Sequence, residues 1–354
     1  VERYRAHNNL GSINAMRGRL DESYHHFDEA LTLARRHSQH LDVSATLNNL
    51  AASAERFGDY PRAERHFREG ITVARRANAV GREAELLINL AVVYGRQGQL
   101  GPAWNTMAEV EVLAHELADR RLSMRVSEQR SEILRLCGDL PGAIDALNAG
   151  LDLATSLGDE RKRLALTAQL LAAEARLDPS VTPRLEQAIL DLDTARLTDV
   201  APWLRLELAL WTGDIATAQA QLALVDEAEL KSAHQRLVRG VARMRLALLM
   251  GADAALKRAG LEARDRLVDA GLVRPSHSHA SGQPQGEQAE VMIVERPKAR
   301  YLAWLLESDA PASWPPPAPP PAVVSELKEQ GAGLPRAMAA SLLEQPAAWL
   351  RPLE

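Results

Sequence analysis

The chain has a single cysteine, Cys137, in 354 residues. No internal disulfide can form and no cysteine cluster can hold zinc, which points to a reducing cytoplasm. Aromatic residues are only 4% of the chain, and β-branched runs are few, which argues against a sheet protein. No run of apolar residues is long enough to cross a membrane, and no signal-peptide pattern opens the chain. An excess of positive charge is also missing. The net charge is −5, so the chain as a whole lacks the electrostatic footprint of a nucleic-acid binder. There is no nucleophile elbow, no Gly-rich phosphate loop and no cysteine–histidine pairing. His25 and His26 are adjacent on a helix and do not share a face. His277 and His279 have no carboxylate nearby in the sequence to complete a metal site. The expectation is no enzyme, with no catalytic residue, no cofactor and no metal. The chain starts at Val1 rather than Met, which suggests a fragment of a longer polypeptide.

What is present is alanine, leucine and arginine, all good helix formers, and an internal period. Gly18, Gly58, Gly98 and Gly138 are spaced by 40 residues. Matched columns surround them: Leu20, Tyr60, Leu100 and Leu140; Ser23, Ala63, Ala103 and Ala143; Phe27, Phe67, Met107 and Leu147; Ala34, Ala74, Ala114 and Ala154. Before each glycine stands Leu10, Leu50, Leu90 or Arg130. Each unit reads as a helix, a tight turn and a second antiparallel helix. Glycine ends the first helix in a left-handed conformation, and Asp59 caps the second. Pro61 sits in that helix's first turn, where its missing N–H costs nothing, and Pro102 and Pro141 take the corresponding place.

These units resemble the tetratricopeptide repeat family. The residues that carry the likeness are Leu50-Ala51, Gly58-Asp59-Tyr60, Ala63, Phe67 and Gly70, then Leu90-Ala91, Tyr94, Gly98, Leu100, Ala103 and Met107. At about 40 residues the units are similar to the long-helix subgroup of kinesin light chains and bacterial peptide-sensing regulators. The fold class expected is all-α, a right-handed superhelical solenoid of about seven antiparallel helix pairs. Repeats fall near 3–41, 42–81, 82–120, 121–159, 160–195, 196–230 and 231–271. In the fifth, Asp178-Pro179 replaces the turn glycine. Gly213-Asp214 and Gly251 restore it in the sixth and seventh, with Ala255 and Ala259 following.

Beyond residue 271 the composition changes, with thirteen of the nineteen prolines in this tail. Residues 272–290 read as a flexible linker. Residues 291–354 read as a Pro-rich tail with short capping helices, one of them carrying Tyr301, Leu302, Leu305 and Leu306.

The resemblance implies that first helices line a concave groove. One stripe of each then faces inward, and it carries a side-chain amide at the same place: Asn9, Asn49, Asn89 and Gln129. Asn8 and Asn48 stand beside the first two. An amide both donates and accepts, so a ladder of them can hold an extended peptide backbone without reading its side chains. Arg56, Arg96 and Arg135 lie on the same stripe and suit an acidic group. These nine residues form the expected peptide-binding groove. The alternative is that the amides bond neighbouring helices within the solenoid. The paired arginines Arg35-Arg36 and Arg75-Arg76 end second helices, where positive charge offsets the helix dipole.

The expected function is a non-catalytic protein- or peptide-binding scaffold. It would be the regulatory or sensor region of a larger bacterial signalling or transcription-regulatory protein. Its partner would be a protein segment or another domain of the same polypeptide, with no direct nucleic acid and no membrane. The alternative is a small-molecule sensor with a pocket between groove and tail, lined by Trp203, Trp211 or Trp304.

Overall fold

The computed structural model describes residues 2–97, 99–197, 200–227 and 233–250, with the single positions 258 and 262. Among the described residues every regular element is helical. The order is α1 (Glu2–Met16), α2 (Leu20–Arg36), α3 (His40–Phe57), α4 (Tyr60–Arg76), α5 (Val80–Gln97), α6 (Leu100–Glu116), α7 (Arg120–Cys137) and α8 (Leu140–Ser156). Then come α9 (Glu160–Glu174), a 3-10 turn (Pro179–Val181), α10 (Thr182–Thr194), α11 (Ala201–Thr212), α12 (Ile215–Glu227) and α13 (Ala233–Leu249). Each helix packs on the next. The first helices α1, α3, α5 and α7 also touch one another in succession, whereas the second helices make no comparable contact. The first helices therefore line the tighter, inner side of a curved array. The chain is an all-α solenoid. Six of its helix pairs are described, with α13 following them. Gly98, Gly251, Ala255, Ala259 and the tail with Tyr301, Leu302, Trp304, Leu305 and Leu306 lie outside the described residues.

The turns inside the pairs follow the chemistry of their residues. Gly58 and Gly138 hold φ of 93° and 81°, a left-handed conformation that a side chain would strain. The Asp59 carboxylate accepts the Arg62 N–H at 3.1 Å, and that of Asp139 accepts the Gly142 N–H at 3.0 Å. Pro61 and Pro141 open their helices, while Pro102 stands one residue deeper, third in α6, where its N–H is still surplus. In the fifth unit the Asp178 side chain accepts the Ser180 N–H at 2.9 Å and starts the 3-10 turn. An acid at a helix start thus replaces glycine at a helix end.

A second set of turns joins one pair to the next. Ser38, Asn78 and Ala118 hold φ of 52°, 50° and 50°, and Gly158, in the same column of the period, holds 66°. Each such turn closes with a bond of the type Ala79 N–H to Ala74 C=O, 2.9 Å. Only one of these four positions is glycine, so composition gave no cue to the column.

The repeated columns are the core. Phe27, Phe67, Met107 and Leu147 are buried, as are Ala34, Ala74, Ala114 and Ala154. Leu50 and Leu90 are buried, but Leu10 is 43% exposed; among the described helices α1 packs chiefly on α2, with a smaller contact to α3. Gly11 lies so close to Phe27 that an added Cβ would sit 2.6 Å from the ring. Arginines at the ends of second helices do more than offset a dipole. Arg35 of α2 pairs with Glu69 of α4, and Arg75 of α4 pairs with Glu109 of α6, stapling successive units along the outer face.

At the far end α13 packs on α11 and α12 and also reaches α3. Val241, Met244 and Ala247 join the hydrophobic cluster of Ala51, Leu90 and Ile133, while Ala242 and Leu246 pack with Leu206 and Leu210. The array therefore curls until its last described inner helix meets the inner helix of its second unit.

Candidate functional site

Two features occupy the inner layer: a ladder of amides on α1, α3 and α5, and a cavity between α7 and α13. In the ladder, Asn49 donates to the Asn8 side-chain oxygen at 3.0 Å, and Asn89 donates to that of Asn48 at 2.9 Å. The second amide of each unit thus bonds the first amide of the unit before it. The asparagine pair has a purpose that the single column Asn9, Asn49 and Asn89 did not reveal. Ile88 stands where a third acceptor would be, and the ladder stops there. The buried Ile88 side chain has no partner to offer Gln129.

These amides are half-buried, except Asn9, which is exposed. Each bond uses one of the two N–H groups of its donor and one lone pair of its acceptor. Three of the four hydrogen-bonding positions of each amide therefore remain. The arginines of the stripe fare differently. Arg96 pairs with Glu55 of the preceding unit. Arg135 pairs with Glu132 on its own helix at 2.5 Å, and that carboxylate holds Arg135 above its ordinary value. Arg56 is half-buried. Glu128 takes Lys162 of α9 at 2.6 Å.

The cavity has a volume of about 430 Å³ and lies among α7, α9, α11 and α13. The inner helices α7 and α9 make no contact comparable to those between the earlier inner helices, and the opening falls at this gap. Gln169 lines it, one period beyond Gln129, which extends the amide column by a position that the sequence reading passed over. Trp203, Trp211 and Glu207 come from α11, Arg135 from α7, Gln235 from α13, and Arg176 from the turn after α9. The Arg176 guanidinium lies over the Trp211 ring, 5.0 Å from its centroid. Burial pulls Arg176 down to about 10, although the Glu207 charge opposes the fall. The buried Arg245 is 3.5 Å from Glu207. Trp211 is buried, and its indole N–H has no hydrogen-bond partner among the described residues.

No group of three or more potential metal ligands occurs among the described residues, and none of their helices is long and apolar enough to cross a membrane. His7 and His26 approach each other at 3.2 Å, without a carboxylate set beside them.

The tetratricopeptide repeat family model matches residues 2–76, the first two helix pairs. No curated protein matches the chain. Among solved structures, the crystal structure of the P58(IPK) TPR domain is similar, with 14% identity over 98% of each chain and a TM-score of 0.21. Residues 2–76 are thus similar to tetratricopeptide repeats, and helix pairs of the same kind follow them along the described residues.

Proposed function

We propose that the chain is a non-catalytic protein-interaction scaffold that holds an extended segment of a partner along the inner face of its first three units. It would be the regulatory or sensor region of a larger bacterial signalling or transcription-regulatory protein, working in the cytoplasm. Residues 1–271 would form one repeat array, with 272–290 as a linker to a capping tail.

The amide ladder is the observation that supports this reading. Asn8 with Asn49, and Asn48 with Asn89, are fixed in place by one bond each and keep a spare donor or acceptor. Amides already held in one orientation lose little entropy when they clamp a peptide backbone. Asn9 extends the row on the exposed end. Gln129, Arg56, Arg96 and Arg135 then belong to the rim, where Arg96 and Arg135 already have carboxylate partners and weaken as anchors for an acidic ligand. The contact of α13 with α3 bounds the occupied length, so the segment is short rather than running through the whole array.

The test is a photo-crosslinker at Ala52, exposed on α3 beside the ladder, against one on the outer face. A segment captured only from position 52 is then titrated by calorimetry. Asn9→Ala, Asn49→Ala and Asn89→Ala should each weaken it severalfold. Unchanged affinity in all three defeats the groove reading. This region should also give no gel shift with duplex DNA; salt-sensitive binding would show a nucleic-acid partner instead.

A further inference from the structure

We propose that the cavity among α7, α9, α11 and α13 binds a small organic monoanion, a carboxylate on a flat apolar body. Arg176 would receive the acid, and Trp203 and Trp211 would flank the body. This site is separate from the amide ladder, and nothing in it depends on the peptide reading above.

Around the cavity one charged group stands apart from the ion pairs. Glu132 pairs with Arg135, and Glu207 lies beside Arg245. Arg176 has neither an ion pair nor a hydrogen bond among the described residues. A half-buried guanidinium over an indole face, with no anion on it, is a cation waiting for a partner. The Trp211 ring holds this guanidinium at the cavity wall, where an acceptor group can reach it. Gln169 and Gln235 add neutral polar groups to the wall.

Arg135 and Arg176 line the space together with Glu132 and Glu207, and the two carboxylates oppose a ligand of more than one negative charge. A phosphate dianion is therefore disfavoured against a carboxylate. The indole faces of Trp203 and Trp211 favour an apolar, planar body. The volume of about 430 Å³ falls within the range of small-ligand sites. The carboxylate could come from a free small acid or from the C-terminus of a short peptide ending in an apolar residue, and the experiment separates these.

The full chain is titrated by calorimetry with aromatic monocarboxylates such as naphthoate, with the matching primary amides, and with inorganic phosphate. A dipeptide with an aromatic C-terminal residue is tested as free acid and as amide. The acids should bind at least tenfold more tightly than their amides and than phosphate. If the naphthoate type binds better, the site takes a free acid; if the dipeptide acid does, it takes a chain end. Arg176→Met should abolish the preference for acid over amide, and Trp203→Ala should weaken acids and amides alike severalfold. Arg120→Met, at the start of α7, serves as control and should change nothing. Amides binding as well as acids, phosphate binding equally, or Arg176→Met retaining the preference would each overturn the assignment. Binding by neither acid nor amide would do so too.

Discussion

Replacing Arg176 by methionine should make the unliganded protein more stable. Burial has pulled this guanidinium down to about 10. At about 1.4 kcal/mol per tenfold change, that fall sets about 3 kcal/mol against the charged form. Partial exposure of the side chain reduces this figure. Methionine keeps apolar contact with the Trp211 ring but gives up a cation–ring attraction of about 0.5–1 kcal/mol. The net gain should be about 1–2 kcal/mol at neutral pH. The sign of the pH dependence follows from the direction of the shift. The folded state binds this proton less tightly than the unfolded state, so wild-type stability rises with pH above about 10 and the advantage of the variant shrinks there. Urea midpoints at pH 7 and at pH 10.5 measure both effects. Amide exchange in α9 and α11 locates them, because a repeat array need not unfold in one step. A variant less stable than wild type by 1 kcal/mol or more at pH 7 would show that Arg176 is held by a structural partner.

A double-mutant cycle on Asn48→Ala and Asn89→Ala should give a coupling of about 0.5–1.5 kcal/mol, as expected for one half-buried amide bond; zero coupling in thermal unfolding would contradict the ladder. Gly11→Ala should cost about 1–3 kcal/mol through collision with the Phe27 ring, and Phe27→Leu in the same chain should recover part of the loss. Ala118→Gly should stabilise by up to about 1 kcal/mol: relief of the left-handed alanine exceeds the added freedom of the unfolded chain. A lower urea midpoint for Ala118→Gly would refute the strain assigned to that turn.

Sequence alone determined the helix pairs, because their causes are local. Phe27, Phe67, Met107 and Leu147 repeat at a fixed interval, and Gly58-Asp59 carries both the end of one helix and the cap of the next. The inter-repeat turns were harder to read. Ser38, Asn78 and Ala118 share a left-handed conformation imposed by the helices on either side, not by their own preferences. The inner-face amides were visible as a column, but their partners were not. Asn49 bonds Asn8, a residue 41 positions earlier, so the bond exists only once two units stack. The cavity lay further still from the sequence. Its residues come mostly from α7, α9, α11 and α13; within one helix they recur at helical spacing, as Gln169, Ala172, Ala173 and Arg176 do, but no spacing tells which helices will face one another. They meet because the array opens between α7 and α9 and curls until α13 touches α3. Such curvature accumulates from small rotations at every interface, and only the packed structure sums them.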